Sequence, residues 1–238
     1  MKKIITISSM LIALVMGMLI ITSCGKAKDV EIANFDQPEK NEKIAVISVE
    51  GFGDIKVKLF PEYAPKGVEN FITHAENGYY DELNFHRVIN NFMIQGGDPK
   101  GNGTGGESIW GTPFEVESVD ELRNFKGALC YANRAGQNTS QFYIVSANAD
   151  ELTDEYFKQI EDSQDIKFPT NIKEKYKEVG GTPFLDGNYT VFGQVIDGLD
   201  VVDAISKVET TYNQDGSEMS KPIDYVKIST IKIIPYEG

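Results

Sequence analysis

The stretch 84–106, NFHRVINNFMIQGGDPKGNGTGG, holds the side chains best suited to chemistry. One arginine, Arg87, sits near an aromatic ring, Phe92, a thioether, Met93, and a neutral amide, Gln95. Further along come Ala132-Asn133, Gln141-Phe142-Tyr143 and Phe184-Leu185-Asp186-Gly187. Singly, each has an ordinary reading: Phe92 and Met93 as core, Arg87 as a surface ion pair, Gln95 as a strand amide. The run GNGTGG suggests a second chemistry. Gly101, Gly103 and Gly106 match G-x-G-x-x-G, which places a pyrophosphate on a helix N-terminus directly after a strand. Here the run follows a turn-like GGDPKG and precedes ESIWGTPFEVES, which has no helical period. No βαβ unit surrounds it, so the nucleotide reading fails, and the glycines indicate a loop whose backbone approaches something closely. Only His74 and His86 occur, with no HExxH and no paired CxxC, so no zinc site is expected.

The elements that must position these groups are mostly short strands. KIAVISV, then a turn at Glu50-Gly51-Phe52-Gly53, then Ile55, Val57 and Leu59 alternating with Lys56 and Lys58, reads as a hairpin. Pro65 opens a helix carrying Val68, Phe71, Ile72 and Ala75, which Gly78 ends. FHRVI, NFMIQG, GALCYAN, SQFYIVSA and TVFGQVI read as strands separated by glycine and asparagine turns. A second helix covers about 200–208, and a last strand about 225–234. Many short strands with few helices predict a mainly β, closed or nearly closed antiparallel structure. The insert 148–182 differs. Leu152, Tyr156, Phe157 and Ile160, then Ile172, Tyr176 and Val179, fall at helical spacing, giving two amphipathic helices that pack on the barrel.

The chain has 238 residues, 41% of them hydrophobic, enough for one sizeable domain with additions. A net charge of −13 disfavours nucleic-acid and anionic membrane surfaces. With only Cys24 and Cys130, no disulfide framework is expected, and Cys130 reads as a buried, inert thiol. MKKIITISSMLIALVMGMLIITSC has a basic start and an apolar core, the layout of a secretory leader. The apolar stretch is nearly long enough for a retained membrane helix, but Ile21-Thr22-Ser23-Cys24 resembles a bacterial lipobox. That resemblance implies a signal peptide over 1–23 and a lipid on Cys24, which would anchor the chain to the outer side of a bacterial cell membrane. Residues 24–41 are polar and aperiodic and read as a flexible tether, spanning roughly 25 Å at about 5–6 Å × √n.

Taken together, FHRVI-x-x-FMIQGGD, the GTGG loop, SQFYI and FLDG-x-x-TVFGQV stand in the order found in cyclophilins, the peptidyl-prolyl cis–trans isomerases. The resemblance covers about 42–238 apart from the insert. It implies a cyclophilin-like β-barrel with two capping helices, no cofactor and no metal, and proline-containing polypeptides as substrates. It implies Arg87 as the catalytic donor, and Phe92, Met93, Tyr143 and Leu185 as the proline pocket. Gln95 would orient Arg87, Ala132 and Asn133 would pair with the peptide main chain, and Gln141 and Gly103 would shape a neighbouring subsite. The reaction suits these residue types. Rotation about an Xaa–Pro bond meets a barrier of about 18–20 kcal/mol from amide resonance. No bond breaks, so a donor to the twisting proline nitrogen suffices. His86 is assigned to packing and hydrogen bonding.

Four positions depart from the usual pattern. Phe184 stands where many relatives have tryptophan, which removes an N–H donor and implies weak cyclosporin binding. Tyr189 replaces a frequent histidine and keeps an aromatic wall. Arg134 replaces an alanine. Tyr143 replaces the usual phenylalanine, and its hydroxyl is expected to polarise the pocket. The leading reading is a monomeric isomerase that assists folding of exported proteins. The alternatives are a non-catalytic, cyclophilin-like module or chaperone that captures proline-containing segments, and a transporter's substrate-binding lipoprotein, which the absence of a two-lobed α/β pattern disfavours.

Overall fold

A computed structural model describes residues 27–238. The predicted leader and Cys24 lie outside those residues. Among the described residues, no helix is long and apolar enough to cross a membrane.

The predicted hairpin forms as β1 (Lys43–Val49) and β2 (Gly53–Leu59), joined through Gly51 at φ 78°. Next come α1 (Pro65–Glu76), β3 (Arg87–Ile89), β4 (Met93–Gly96), β5 (Phe114–Glu115), β6 (Ala128–Arg134) and β7 (Gln137–Val145). The insert supplies α2 (Asp154–Gln164) and α3 (Thr170–Val179), followed by β8 (Val191–Asp197) and α4 (Leu199–Ser206). A small hairpin, β9 (Thr210–Tyr212) and β10 (Met219–Pro222), precedes β11 (Ile228–Pro235). That hairpin was not foreseen, since its residues show no apolar alternation.

The main sheet is antiparallel, in the order β11-β1-β2-β8-β6-β7-β4-β3, with β5 on the side of β7. The ladder does not run continuously around. Its ends meet at a seam, where Glu82 and Phe85 donate backbone N–H groups to Ile228 and Val226, and Ile228 donates to Leu83. The fold is therefore the mainly β, antiparallel architecture expected, a strongly curled sheet whose seam is stitched by single hydrogen bonds in place of a continuous ladder.

Alternation explains which faces fill the interior. Ile47, Val57, Leu129, Tyr131, Phe142, Ile144 and Phe192 point inward and form one cluster with Phe71 of α1 and Ile205 of α4. The two helices thus cover the open ends. Pro65 starts α1 at a position where a missing N–H costs nothing. Thr153 caps α2 by accepting from the Tyr156 N–H at 3.2 Å. The insert helices bury Phe157, Ile160, Ile172 and Tyr176 against Phe125 as a separate core. Its return strand runs so close to the sheet that a Cβ on Gly180 or Gly181 would strike the carbonyls of Ala147 or Asn124.

The segment 24–41, read as a flexible tether, is docked over much of its length. Asn34 is fully buried, and its side chain donates to Arg123 O and Gln194 Oε1 at 3.0 Å each. Its Oδ1 accepts from the Arg123 N–H at 2.9 Å. Ile32 and Phe35 pack on the insert core, and Val30 pairs with Asn171 of α3. One amide side chain thus does what apolar periodicity would otherwise announce. Asn34→Ala leaves several buried partners unsatisfied at once, so it is expected to destabilise the domain by about 1–3 kcal/mol, read as a lower urea midpoint at unchanged slope.

Candidate active site

On β4, β6 and β7 the residues alternate with those in the barrel interior and face outward. Register places Arg87 of β3 opposite Gln95 of β4, Gln95 opposite Tyr143 of β7, and Tyr143 opposite Cys130 of β6. Directly paired residues share a face. One row across four strands therefore carries the arginine, the amide and an aromatic wall.

A cavity of about 190 Å³ lies over this row, lined by Arg87, Phe92, Met93, Gln95, Ala132, Asn133, Tyr143, Leu185 and Tyr189. Tyr189 meets the Tyr143 ring edge-on at 5.8 Å. Two larger cavities adjoin it. One of about 440 Å³ shares Gln95, Ala132 and Asn133 and adds Gly103, Arg134 and Gln141. The other, of about 410 Å³, shares Arg87 and Gln95 and lies between the 101–103 loop and the β9–β10 hairpin. Arg87 and Gln95 thus stand at the junction. Phe184 is placed differently from the other candidates. It stacks on the outer side of Phe92 at 5.9 Å and lines a cavity facing the insert.

Arg87 is held on two sides. Its Nη1 donates to Gln95 Oε1 at 3.2 Å and lies 3.7 Å from the Met93 sulfur. Its Nε and Nη2 donate to the two Glu218 oxygens at 2.7 and 2.8 Å. The Arg87 side-chain hydrogen bonds hold the Glu218 carboxyl below its ordinary value. Gln95 in turn donates to Gln141 Oε1 at 3.0 Å, and Gln141 donates to the carbonyls of Gly103 and Gly105. Sequence reasoning missed Glu218, which lies in a hairpin without apolar pattern.

The glycine loop is organised by Asp98. Its carboxylate accepts from the backbone N–H groups of Lys100, Asn102 and Gly103 at 2.8, 3.0 and 2.6 Å. A Cβ on Gly105 would strike that carboxylate, and Gly103 holds φ 83°. The close approach inferred for these glycines is therefore to an aspartate of the chain itself. Burial alone would raise the Asp98 pKa, but the ring of backbone donors brings it below the ordinary value.

Two local expectations are corrected. The Tyr143 hydroxyl does not polarise the pocket. It points into the protein and donates to Asn124 Oδ1 at 2.8 Å. Asn124 in turn donates to Asp186, as does Tyr176 of α3 at 2.8 Å. His86 is packed, but neither ring nitrogen has a protein partner, and burial lowers its pKa, leaving the ring neutral. Cys130 is a free, buried thiol whose pKa burial raises. Among the described residues, no group of three or more His, Cys, Asp or Glu is arranged to hold a metal ion.

Two predictions follow from this network. Tyr143→Phe keeps the ring but removes one donor to Asn124, so unfolding should cost ~1 kcal/mol less with peptide binding little changed. Asp98 has a folded pKa below its unfolded one. Its contribution is therefore complete above the unfolded value, about 3.9, and is lost as pH falls through the lower folded value. Hydrogen exchange at the Asn102 and Gly103 amides should stay protected to below pH ~4 and open only at more acid pH.

Residues 44–233 match the model for cyclophilin type peptidyl-prolyl cis-trans isomerase/CLD. A Staphylococcus saprophyticus protein, provisionally named a peptidyl-prolyl cis-trans isomerase, is 47% identical over 76% of this chain and 87% of its own. One from Staphylococcus epidermidis with the same provisional name is 45% identical over 85% of this chain and 99% of its own. A Cryptosporidium parvum cyclophilin type isomerase, crystallised in the presence of the dipeptide Ala-Pro, superposes with a TM-score of 0.60. That match has 29% identity and covers 82% of this chain and 99% of the other. Matched by that family model over most of its length and close to half identical to relatives that align over most of their own, this chain belongs to the cyclophilin-type peptidyl-prolyl cis-trans isomerase family.

Proposed function

We propose that the protein accelerates cis–trans rotation about Xaa–Pro bonds in polypeptide segments. The observation that carries this reading is the held guanidinium of Arg87 at the edge of a cavity of about 190 Å³ walled by Phe92, Met93, Tyr143, Leu185 and Tyr189. Phe92, Met93, Leu185 and Tyr143 grip the ring. Arg87 donates toward the proline nitrogen as its lone pair localises, which favours the twisted amide over the planar one. Lowering the barrier by about 7 kcal/mol gives roughly 10⁵-fold acceleration. The Ala-Pro dipeptide used with the Cryptosporidium relative is consistent with proline-containing ligands.

We place the activity outside the cell membrane, with clients among exported proteins. The leader-like start and lipobox-like Ile21-Thr22-Ser23-Cys24 support this, with Cys24 as the lipid anchor.

The test is the isomerisation rate of a short Xaa-Pro peptide with the domain from residue 28 onward. Arg87→Ala should reduce kcat/KM by about 10²–10³-fold while the fold is kept. No acceleration by the folded wild type would instead indicate a non-catalytic module that binds proline-containing segments. In a separate measurement, cyclosporin should bind weakly, since the Phe184 ring has no N–H to donate. A dissociation constant matching tryptophan-bearing cyclophilins would overturn that expectation.

A further inference from the structure

We propose that Glu218 is a positioning residue for Arg87, supplied by the β9–β10 hairpin; the inference rests on the isomerase reading of the site. A guanidinium has five N–H groups in a planar fork. Glu218 takes the Nε–H and one Nη2 hydrogen in a bidentate pair at 2.7 and 2.8 Å. Gln95 takes one Nη1 hydrogen at 3.2 Å. One hydrogen remains on Nη2, and one on Nη1 beside the weak acceptor sulfur of Met93. Those are the groups left to donate to a twisting amide. Such pairing defines orientation as well as charge, because two parallel bonds stop the fork from turning about its own axis.

The backbone that carries the carboxylate is itself held. The turn between β9 and β10 is tied by Asn213, whose backbone N–H donates to Glu218 O at 2.8 Å. Asn213 Oδ1 accepts from the N–H groups of Ser217 and Glu218 at 3.0 and 3.2 Å. Asp215 accepts from the Ser217 N–H and hydroxyl at 3.0 and 2.6 Å, and Gly216 supplies the positive φ of the turn. The ion pair is about one-third exposed on each side. That is open enough for substrate to reach the remaining hydrogens. In such a position the pair's value lies in geometry more than in net stability. Arg87 is thus gripped between two independently braced acceptors, Gln95 through Gln141 and the glycine loop, and Glu218 through the hairpin turn.

The experiment is a double-mutant cycle read by kcat and KM separately. Glu218→Ala should lower kcat about tenfold or more, the scale of a small misplacement of a catalytic group, with KM within about twofold. Glu218→Gln, which keeps the shape and one acceptor oxygen, should fall between. In an Arg87→Ala background, Glu218→Ala should change nothing further, whereas damage to the fold alone would lower both backgrounds alike. Unchanged kcat in Glu218→Ala would overturn the proposal, and increased kcat would overturn it by making the carboxylate a brake on Arg87. If the wild type itself shows no isomerisation, the activity reading fails separately. The Arg87 Nε–H resonance then decides for Glu218: protected in the wild type and averaged in Glu218→Gln supports the positioning role, and no difference overturns it.

Discussion

A β-strand turns successive side chains to opposite faces, and here the same strands must build a core and a groove. Ile94, Leu129, Tyr131, Phe142 and Ile144 fill the curled sheet, while Met93, Gln95, Cys130, Tyr143 and Val145 face outward between them. A slip of one residue in β4 or β7 would exchange the two sets, placing Gln95 in the core and Ile94 in the groove. The packing of large rings inside therefore also sets the level of every groove residue outside. The Phe71 ring lies 5.6 Å from Phe142 and 5.2 Å from Phe192 by centroid, and these contacts lock that register from the inner side.

Behind the groove, rigidity comes from polar groups. Tyr143 leads to Asn124, Asn124 to Asp186, and Asp186 to Tyr176 in the insert. Burial pushes the Asp186 carboxyl up, while Arg123, Asn124 and Tyr176 oppose that shift. The docked residue Asn34 binds the backbone of Arg123 from the other side. The insert and the N-terminal segment thus meet behind Tyr143, on the side away from the groove. The insert's apolar stripes are spent on its own core with Phe125.

The groove was legible in the sequence because its residues lie on contiguous strands, where short motifs carry both strand pattern and chemistry. FHRVI and FMIQGGD deliver Arg87, Phe92, Met93 and Gln95 within nine positions of one another. The two insert helices were legible from spacing, and the structure differs only at their ends. What stayed hidden depends on single polar side chains acting over long separations. Glu218 reaches Arg87 across 131 positions from a hairpin whose exposed residues leave no periodic trace. Asn34 docks a segment whose composition alone indicates a free linker. The open seam was also hidden, since strand pattern reports faces and not whether two edge strands meet in register.

The docked N-terminal segment changes how far the domain could stray from a surface. A tether over 24–41 would let the barrel tumble at a distance comparable to its own width. With Val30 fastened to Asn171, only residues 25–29 lie between Cys24, the expected lipid position, and the folded body. The six steps from Cys24 to Val30 reach no more than about 20 Å even when fully extended. A lipid on Cys24 would then act as a short leash. It would confine the groove to a thin shell above the bilayer and restrict its orientations to those that keep the α3 side near the lipid.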